Sequence, residues 1–282
     1  MIYFSQSGNT EKIAKKIQNG IIQSGYDCDL EKIKEVNLKS LPDYDLIGIG
    51  TPTFFYREPI NVKHFIRNID NLNGKHCFIF ATHGSVIGNT FYYMNEQLRE
   101  KGVQVIGRFD CYGDSSMKVY PQPMHTAGHP DDIEIREAEE FGETICERSL
   151  KIHEGDLGLI PKFELIENTW WNKQSEMSTP DILRRISPKF IINEEQCTKC
   201  LTCQENCPVD AIDINANPPE VQKEPCIFCY HCEIICPEGA IEADWSRAKK
   251  LFRGNLKRYI KELEDAENHG KFRPYVDYKN II

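Results

Sequence analysis

Eight of the twelve cysteines in this 282-residue chain fall between positions 197 and 236. They form two copies of the spacing C-x2-C-x2-C-x3-C-P: Cys197, Cys200, Cys203 and Cys207 before Pro208, then Cys226, Cys229, Cys232 and Cys236 before Pro237. Three thiolates closely spaced on one loop can grip three irons of a cubane, and the x3-C-P step carries the fourth sulfur away to the partner cluster. On that crossed arrangement Cys197, Cys200, Cys203 and Cys236 bind one [4Fe-4S] cluster, and Cys226, Cys229, Cys232 and Cys207 bind the other. Paired zinc sites also use C-x2-C spacings, but three cysteines in series plus C-P, twice over, fit zinc poorly. His231 is surplus to eight filled thiolate positions and is expected to tune the cluster's surroundings. Cys28, Cys77, Cys111 and Cys146 are scattered, so a disulfide framework is not indicated.

The other stretch with chemical potential is the opening, "MIYFSQSGNTEKIAKKIQNGI". A short strand, a turn of hydroxyls and amides around Gly8, and a helix N-terminus bring free backbone N–H groups and the helix dipole together as an anion site. A plain helix cap at S-G-N-T is the alternative. The turn lacks the Gly-Lys pair of a P-loop and the G-x-G-x-x-G of dinucleotide folds, which leaves a phosphate held by neutral donors.

These groups need a scaffold. Up to about residue 150, short β-rich runs alternate with helical segments, the pattern of a parallel α/β sheet. Candidate strands are "IYF", "YDCDL", "DLIGIGT", "HCFIFAT" and "VQVIGRFDC", the third and fourth being nearly continuous apolar runs suited to strands covered on both faces. Ile13, Ile17 and Ile21 fall at helical spacing, as do Val62, Phe65, Ile66 and Ile69; 90–101 reads as a further helix, and a last helix opens with acids in its first turn. The expected organisation is a first domain over 1–150, a connecting segment over 151–187 containing Trp170 and Trp171, a two-cluster domain over 188–244, and a C-terminal helix and tail over 245–282. The connecting segment is too apolar for a free linker; it either packs between the halves or covers one of them.

The stretch 188–244 resembles the bacterial two-cluster ferredoxins, with both motifs complete. That resemblance implies a small α+β domain of hairpins and short helices with pseudo-twofold symmetry. "SQSGNT" resembles the phosphate loop of the flavodoxins, which implies FMN held at its phosphate by Ser5, Gln6, Ser7, Gly8, Asn9 and Thr10. It also implies a doubly wound five-stranded sheet of order 2-1-3-4-5, with two ring loops at the switch point. "GIGTPTFFYREP" and "ATHGSVIGNT" stand in the right order, and G-T-P-T looks like that of flavodoxin-like quinone reductases and iron-sulfur flavoproteins. By that resemblance Thr51, Pro52, Thr53 and Phe54 border the flavin on one side, His83, Gly84 and Ser85 on the other, and Tyr112 is a third wall. Packing of Phe54, Phe55 and Tyr56 on the sheet edge is the bland alternative.

The combination resembles fusions of an N-terminal flavodoxin domain with a C-terminal two-cluster ferredoxin, known from anaerobes. It implies an electron carrier that relays electrons between two [4Fe-4S] clusters and FMN, and to or from a partner oxidoreductase. The alternative is a flavin-dependent reductase acting on a quinone, oxygen or an unsaturated compound, with His83 the best candidate proton donor. The long loop carrying Met117, Tyr120, Met124, His125 and His129 would then shape a substrate pocket, or else simply cover the end of the sheet. No second nucleotide fingerprint is present.

The net charge of −9 argues against a nucleic-acid surface. The absence of a leader and of any long apolar run gives a cytoplasmic expectation without a transmembrane segment. A homodimer in which flavin and cluster meet across subunits is left open. In the C-terminal segment Trp245, Ala248, Phe252, Leu256, Tyr259 and Leu263 make one apolar helix face with basic residues elsewhere, a helix expected to pack within the protein or to contact an acidic partner or a membrane surface.

Overall fold

The computed structural model describes residues 1–115 and 117–281. The chain divides into two compact units, Met1–Asp114 with Thr126–Glu176, and Ser115–His125 with Met177–Ile282.

The first unit is an α/β domain with strands β1 Ile2–Tyr3, β2 Glu31–Lys32, β3 Leu46–Pro52, β4 His76–His83 and β5 Gln104–Tyr112. Its helices are α1 Asn9–Gln23, α2 Ile60–Asn68, α3 Thr90–Glu100, α4 Asp132–His153 and α5 Trp170–Met177, the last ending one residue past the unit. The strands pair in parallel in the order β2-β1-β3-β4-β5. Strand order therefore reverses between β1 and β3, the switch point at which such sheets open a crevice beyond their carboxyl ends.

The residues account for this arrangement. All of β4 is buried, as a strand covered by helices on both faces must be. Ile13, Ile17 and Ile21 put one face of α1 into a core shared with Phe78, Phe80, Ile106, Ala138 and Ile145. Asp131 caps α4 by accepting from Ile133 N and Glu134 N, while Glu134 Oε2 accepts from Asp131 N, a reciprocal capping box. His129 Nδ1 lies 2.7 Å from the same Glu134 oxygen. The His129, Asp131 and Glu134 group thus has its ligand atoms committed to the helix start.

Strand β1 has two residues, yet it is held on both sides: Ile2 and Tyr3 pair with Glu31 and Lys32 and with Ile49 and Gly50, and Phe4 N extends the ladder to Gly50 O at 2.9 Å. The second strand departs from the sequence expectation. "YDCDL" is the approach to the edge and pairing begins only at Glu31, because a partner two residues long offers pairing groups for little more. Cys28 and Leu30 still pack against the core.

The second unit contains α6 Pro180–Ile186, β6 Phe190–Ile192, α7 Thr202–Glu205, β7 Ile212–Asp213, β8 Glu220–Val221, α8 His231–Ile235, β9 Ile241–Ala243 and α9 Lys249–Asn268. Strand β6 pairs antiparallel with β9, and β7 with β8. The cysteine repeat is also a repeat of backbone conformation: Lys199 and Phe228, Leu201 and Tyr230, Asp210 and Gly239 all have positive φ. Both short helices start directly after the second of these left-handed residues.

Two boundaries differ from those expected. The first unit continues past residue 150 to Glu176, because the connecting segment covers it through buried contacts described below. Residues 115–125, expected to lie in the first domain, belong to the second unit. There Val119, Tyr120 and Met124 form a core with Leu256, against which Met117, Trp245, Phe252 and Tyr259 pack. Met117, Tyr120 and Met124 thus pack on the apolar face of α9, and the His125 ring lies edge-on to Tyr259 at 6.3 Å. Among the described residues no helix is long and apolar enough to cross a membrane.

Candidate flavin and iron-sulfur sites

The carboxyl ends of β1, β3, β4 and β5 gather most of the expected flavin residues on one edge of the sheet. After β1 the chain turns through Ser5, Gln6 and Ser7 to Gly8, whose φ of +91° is open to glycine but strained for other residues, and whose missing side chain would meet nothing within 4 Å. Gly8 is the cap position of α1, so no side chain caps this helix. The simple cap reading of S-G-N-T therefore fails, and the first N–H groups of a 15-residue helix face the turn.

Ser5 Oγ and Gln6 Nε2 are buried and have no hydrogen-bond partner among the described residues. Buried polar atoms are nearly always paired. Two neutral orphans beside free helix amides fit a phosphate group. Thr10 differs from its neighbours: its hydroxyl is buried 2.8 Å from that of Thr82, so it can offer an anion only its backbone N–H. Asn9 Nδ2 donates to Asp114 O at 2.9 Å and anchors the turn to the chain beyond β5.

Thr51 and Pro52 end β3, and Thr53 N donates to Thr82 O at 2.8 Å. Phe54 then exchanges both backbone hydrogen bonds with Arg57 across a two-residue turn in which Phe55 and Tyr56 have positive φ. Left-handed backbone costs an ordinary residue about 1–2 kcal/mol. Such strain persists where the surroundings over-determine it and clusters at ligand clamps. Here the Tyr56 ring is buried against Trp170 at 5.3 Å and Trp171 at 6.5 Å. Tyr56 thus follows the bland packing alternative, while Phe54 stands edge-on to Phe4 at 6.1 Å on the loop itself.

His83 is the last residue of β4 and not a loop residue; Gly84 and Ser85 form the bend after it. Its Nε2 lies 3.3 Å from Asp110 Oδ2, and its ring meets Tyr112 edge-on at 4.8 Å. Tyr112 closes β5 and donates its N–H to Glu134 Oε1 at 3.0 Å. The pairing of His83 with Asp110 was invisible in the sequence, since it depends on the register of β4 with β5.

The residue that sequence reasoning missed altogether is Asn89. Its N–H donates to Tyr56 O, its Nδ2 to Ile166 O and to Asn172 Oδ1, and its Oδ1 accepts from Ile166 N. One buried amide ties together the loop after β3, the loop after β4 and the connecting segment. Gly88 lets this happen, because a side chain there would collide with Tyr56. Asn89→Ala strands several buried partners and is expected to destabilise the first unit by about 2–4 kcal/mol, read as a lower urea midpoint. A change below about 0.5 kcal/mol would place it with surface substitutions.

In the second unit the cysteines gather in two hollows. One, of about 310 Å³, is lined by Cys197, Cys200, Cys203 and Cys236. The other, of about 340 Å³, is lined by Cys207, Cys226, Cys229 and Cys232, with Cys203 also touching it. His231 is on the lining of the second. Backbone amides approach the sulfurs: Ala211 N is 3.2 Å from Cys207 Sγ, and Ala240 N, one repeat later, is 3.2 Å from Cys236 Sγ. N–H···S bonds of this kind are one of the levers on cluster potential.

The two hollows are not alike. The first presents exposed Cys200, Lys199 and Leu201. The second puts buried Phe228 and Tyr230 at the corresponding positions. Without iron the thiols respond accordingly: the Thr202 side chain beside Cys200 holds it below its usual value, whereas desolvation pushes Cys226 up to about 11 and Cys229 up to about 12. Bound iron replaces those protons, so assembly of the second set is tied to proton release.

Comparison with known proteins agrees with this geometry. Residues 1–121 match the family described as flavodoxin domain, and residues 189–237 the family described as 4Fe-4S dicluster domain. An uncharacterized protein of Methanocaldococcus jannaschii is 29% identical over 140 residues, covering 49% of this chain and 89% of that protein. A flavodoxin of Clostridium beijerinckii is 27% identical over 149 residues, covering 52% of this chain and 97% of the flavodoxin. A solved flavodoxin from the domain Archaea aligns with a TM-score of 0.43 at 25% identity, covering 53% of this chain and 96% of the other. The first domain implies FMN and the second iron-sulfur clusters of the 4Fe-4S type. The chain is a flavodoxin–ferredoxin fusion, an electron-transfer flavo-iron-sulfur protein with the flavodoxin domain first and the 4Fe-4S dicluster domain second.

Proposed function

We propose that this chain relays electrons between two [4Fe-4S] clusters and FMN, and to or from a partner oxidoreductase of the cytoplasm. The clusters supply one-electron transfer, and FMN a site that takes two electrons and releases them singly or as a pair. Ser5, Gln6 and Ser7 hold the FMN phosphate with their side chains, and Gly8, Asn9 and Thr10 with backbone N–H groups at the start of α1. Thr51, Pro52, Thr53 and Phe54 border the ring on one side, His83, Gly84 and Ser85 on the other, with Tyr112 beyond. Cys197, Cys200, Cys203 and Cys236 hold one cluster; Cys207, Cys226, Cys229 and Cys232 hold the other.

The observation that carries the reading is the presence, in one chain, of an anion cradle with two orphaned polar side chains and of two hollows that between them are lined by all eight motif cysteines. His83, held by Asp110 and packed on Tyr112, orients the end of β4. Anaerobic purification followed by iron, sulfide and flavin analysis tests the reading. It expects about eight irons and one FMN per chain; intact clusters without FMN would remove the flavin half.

A further inference from the structure

The polar side of α9 carries charge that its own fold does not use. Lys249, Arg253, Lys257 and Lys261 recur four residues apart and make one ridge along the helix, with Lys250 beside it. All five are exposed, and none of their side chains has an ion pair or hydrogen bond among the described residues. Like charges four apart destabilise a helix. No acidic residue stands three or four positions from Lys249, Arg253 or Lys257 to offset that repulsion, and only Lys261 has such neighbours, Glu264 and Asp265, in a chain whose net charge is −9. The opposite face of α9 is already occupied, with Leu256 buried among Val119, Tyr120 and Met124.

This combination selects among anionic partners. A helix that lies on a membrane needs a free apolar face to insert, and α9 has spent its own. A nucleic acid would meet a strongly acidic protein behind the ridge. A hydrated acidic patch on another protein requires only the exposed cations. The ridge also stands beside a redox site. Trp245, just ahead of α9, packs on Tyr230 at 4.4 Å, and Tyr230 lies on the loop between Cys229 and Cys232. Trp245 is fixed there by Glu233, which accepts from its Nε1 at 3.3 Å.

We infer that the basic ridge of α9 docks an acidic redox protein, which exchanges single electrons with the cluster held by Cys207, Cys226, Cys229 and Cys232. The inference rests on the relay reading above. In the direction tested, one electron leaves the reduced chain and reduces one acceptor centre, and no bond is made or broken.

The test uses the full chain with FMN and clusters in place, reduced with dithionite and freed of excess reductant. It is mixed with acidic cytochrome b5 and, in parallel, with basic cytochrome c, while haem reduction is followed at increasing salt. The expected rate with cytochrome b5 falls about tenfold or more as salt is raised. At low salt, K249Q/R253Q/K257Q/K261Q lowers that rate by a similar factor and does not lower the rate with cytochrome c. Neutralisation relieves repulsion within α9, so the variant should melt no lower and keep its iron and flavin.

A rate with cytochrome b5 that ignores both salt and the variant, in a chain that reduces both cytochromes, overturns the ridge and leaves the relay standing. Failure to reduce either cytochrome with all cofactors present overturns the relay as well. Binding to anionic phospholipid vesicles that the variant loses, with cytochrome b5 unaffected, assigns the ridge to a membrane and also overturns the inference.

Discussion

Replacing Cys207 with alanine is expected to remove the cluster of the second repeat, although Cys207 belongs to the first. It lines the hollow of Cys226, Cys229 and Cys232, while Cys236 lines that of Cys197, Cys200 and Cys203. C207A should therefore retain about four irons in place of about eight. The double variants discriminate more sharply than the single ones, because residues acting on one site are non-additive and residues on different sites add. C207A/C226A should lose no more iron than either alone, whereas C207A/C197A should lose nearly all. The reverse pattern would mean that each repeat holds its own cluster. Cys203 and Cys232 also belong to the core of this unit, with Ile212, Ile214 and Ile241. Loss of either cluster should accordingly lower the melting temperature of the second unit as well as its iron content.

Ser7→Glu is expected to weaken FMN binding about 100-fold without unfolding the chain. Ser7 is exposed at the tip of the turn, so the new carboxylate costs no burial in the free protein. With the phosphate bound, two negative charges about 4 Å apart repel by about 1 kcal/mol in water and about 4 kcal/mol at the effective dielectric of a protein surface. An intermediate value corresponds to the stated factor. Titration of FMN into flavin-depleted protein reads the effect directly, and iron content serves as the control for the second unit. Unchanged affinity would show that the phosphate is held elsewhere.

What the sequence disclosed followed from locality. The cysteine register was legible because chemistry and spacing are both written in the motif, and the fold repeats them in backbone conformation at Lys199 and Phe228 and at Leu201 and Tyr230. Strands β3 and β4 were legible as apolar runs because helices cover both their faces. The second strand was misplaced because an exposed edge pair such as Glu31 and Lys32 carries no hydrophobic signature. Its position is set by the two residues of β1.

The site was legible at the turn and less so around it. Asn89 looks like any polar loop residue, and its partners Ile166 and Asn172 are 77 and 83 residues away. Trp170 and Trp171 announced burial, but that Tyr56 meets them depends on a left-handed turn which a Phe-Tyr pair does not advertise. The long loop reads in the sequence as the wall of a substrate pocket or a cover for the sheet end because its apolar residues follow β5. They pack instead on a helix more than a hundred residues later, in a core that no local pattern reveals.

If one chain passes electrons between its two kinds of cofactor site, that transfer is internal to the molecule and independent of its concentration. The most direct measurement is rapid mixing of the anaerobic holoprotein with a one-electron reductant, with cluster and flavin absorbance followed together over a tenfold range of protein concentration. The predicted result is flavin reduction that follows cluster reduction with a first-order rate unchanged by dilution. A chain holding both cofactors whose flavin stays oxidised, or is reduced at a rate proportional to protein concentration, would contradict it.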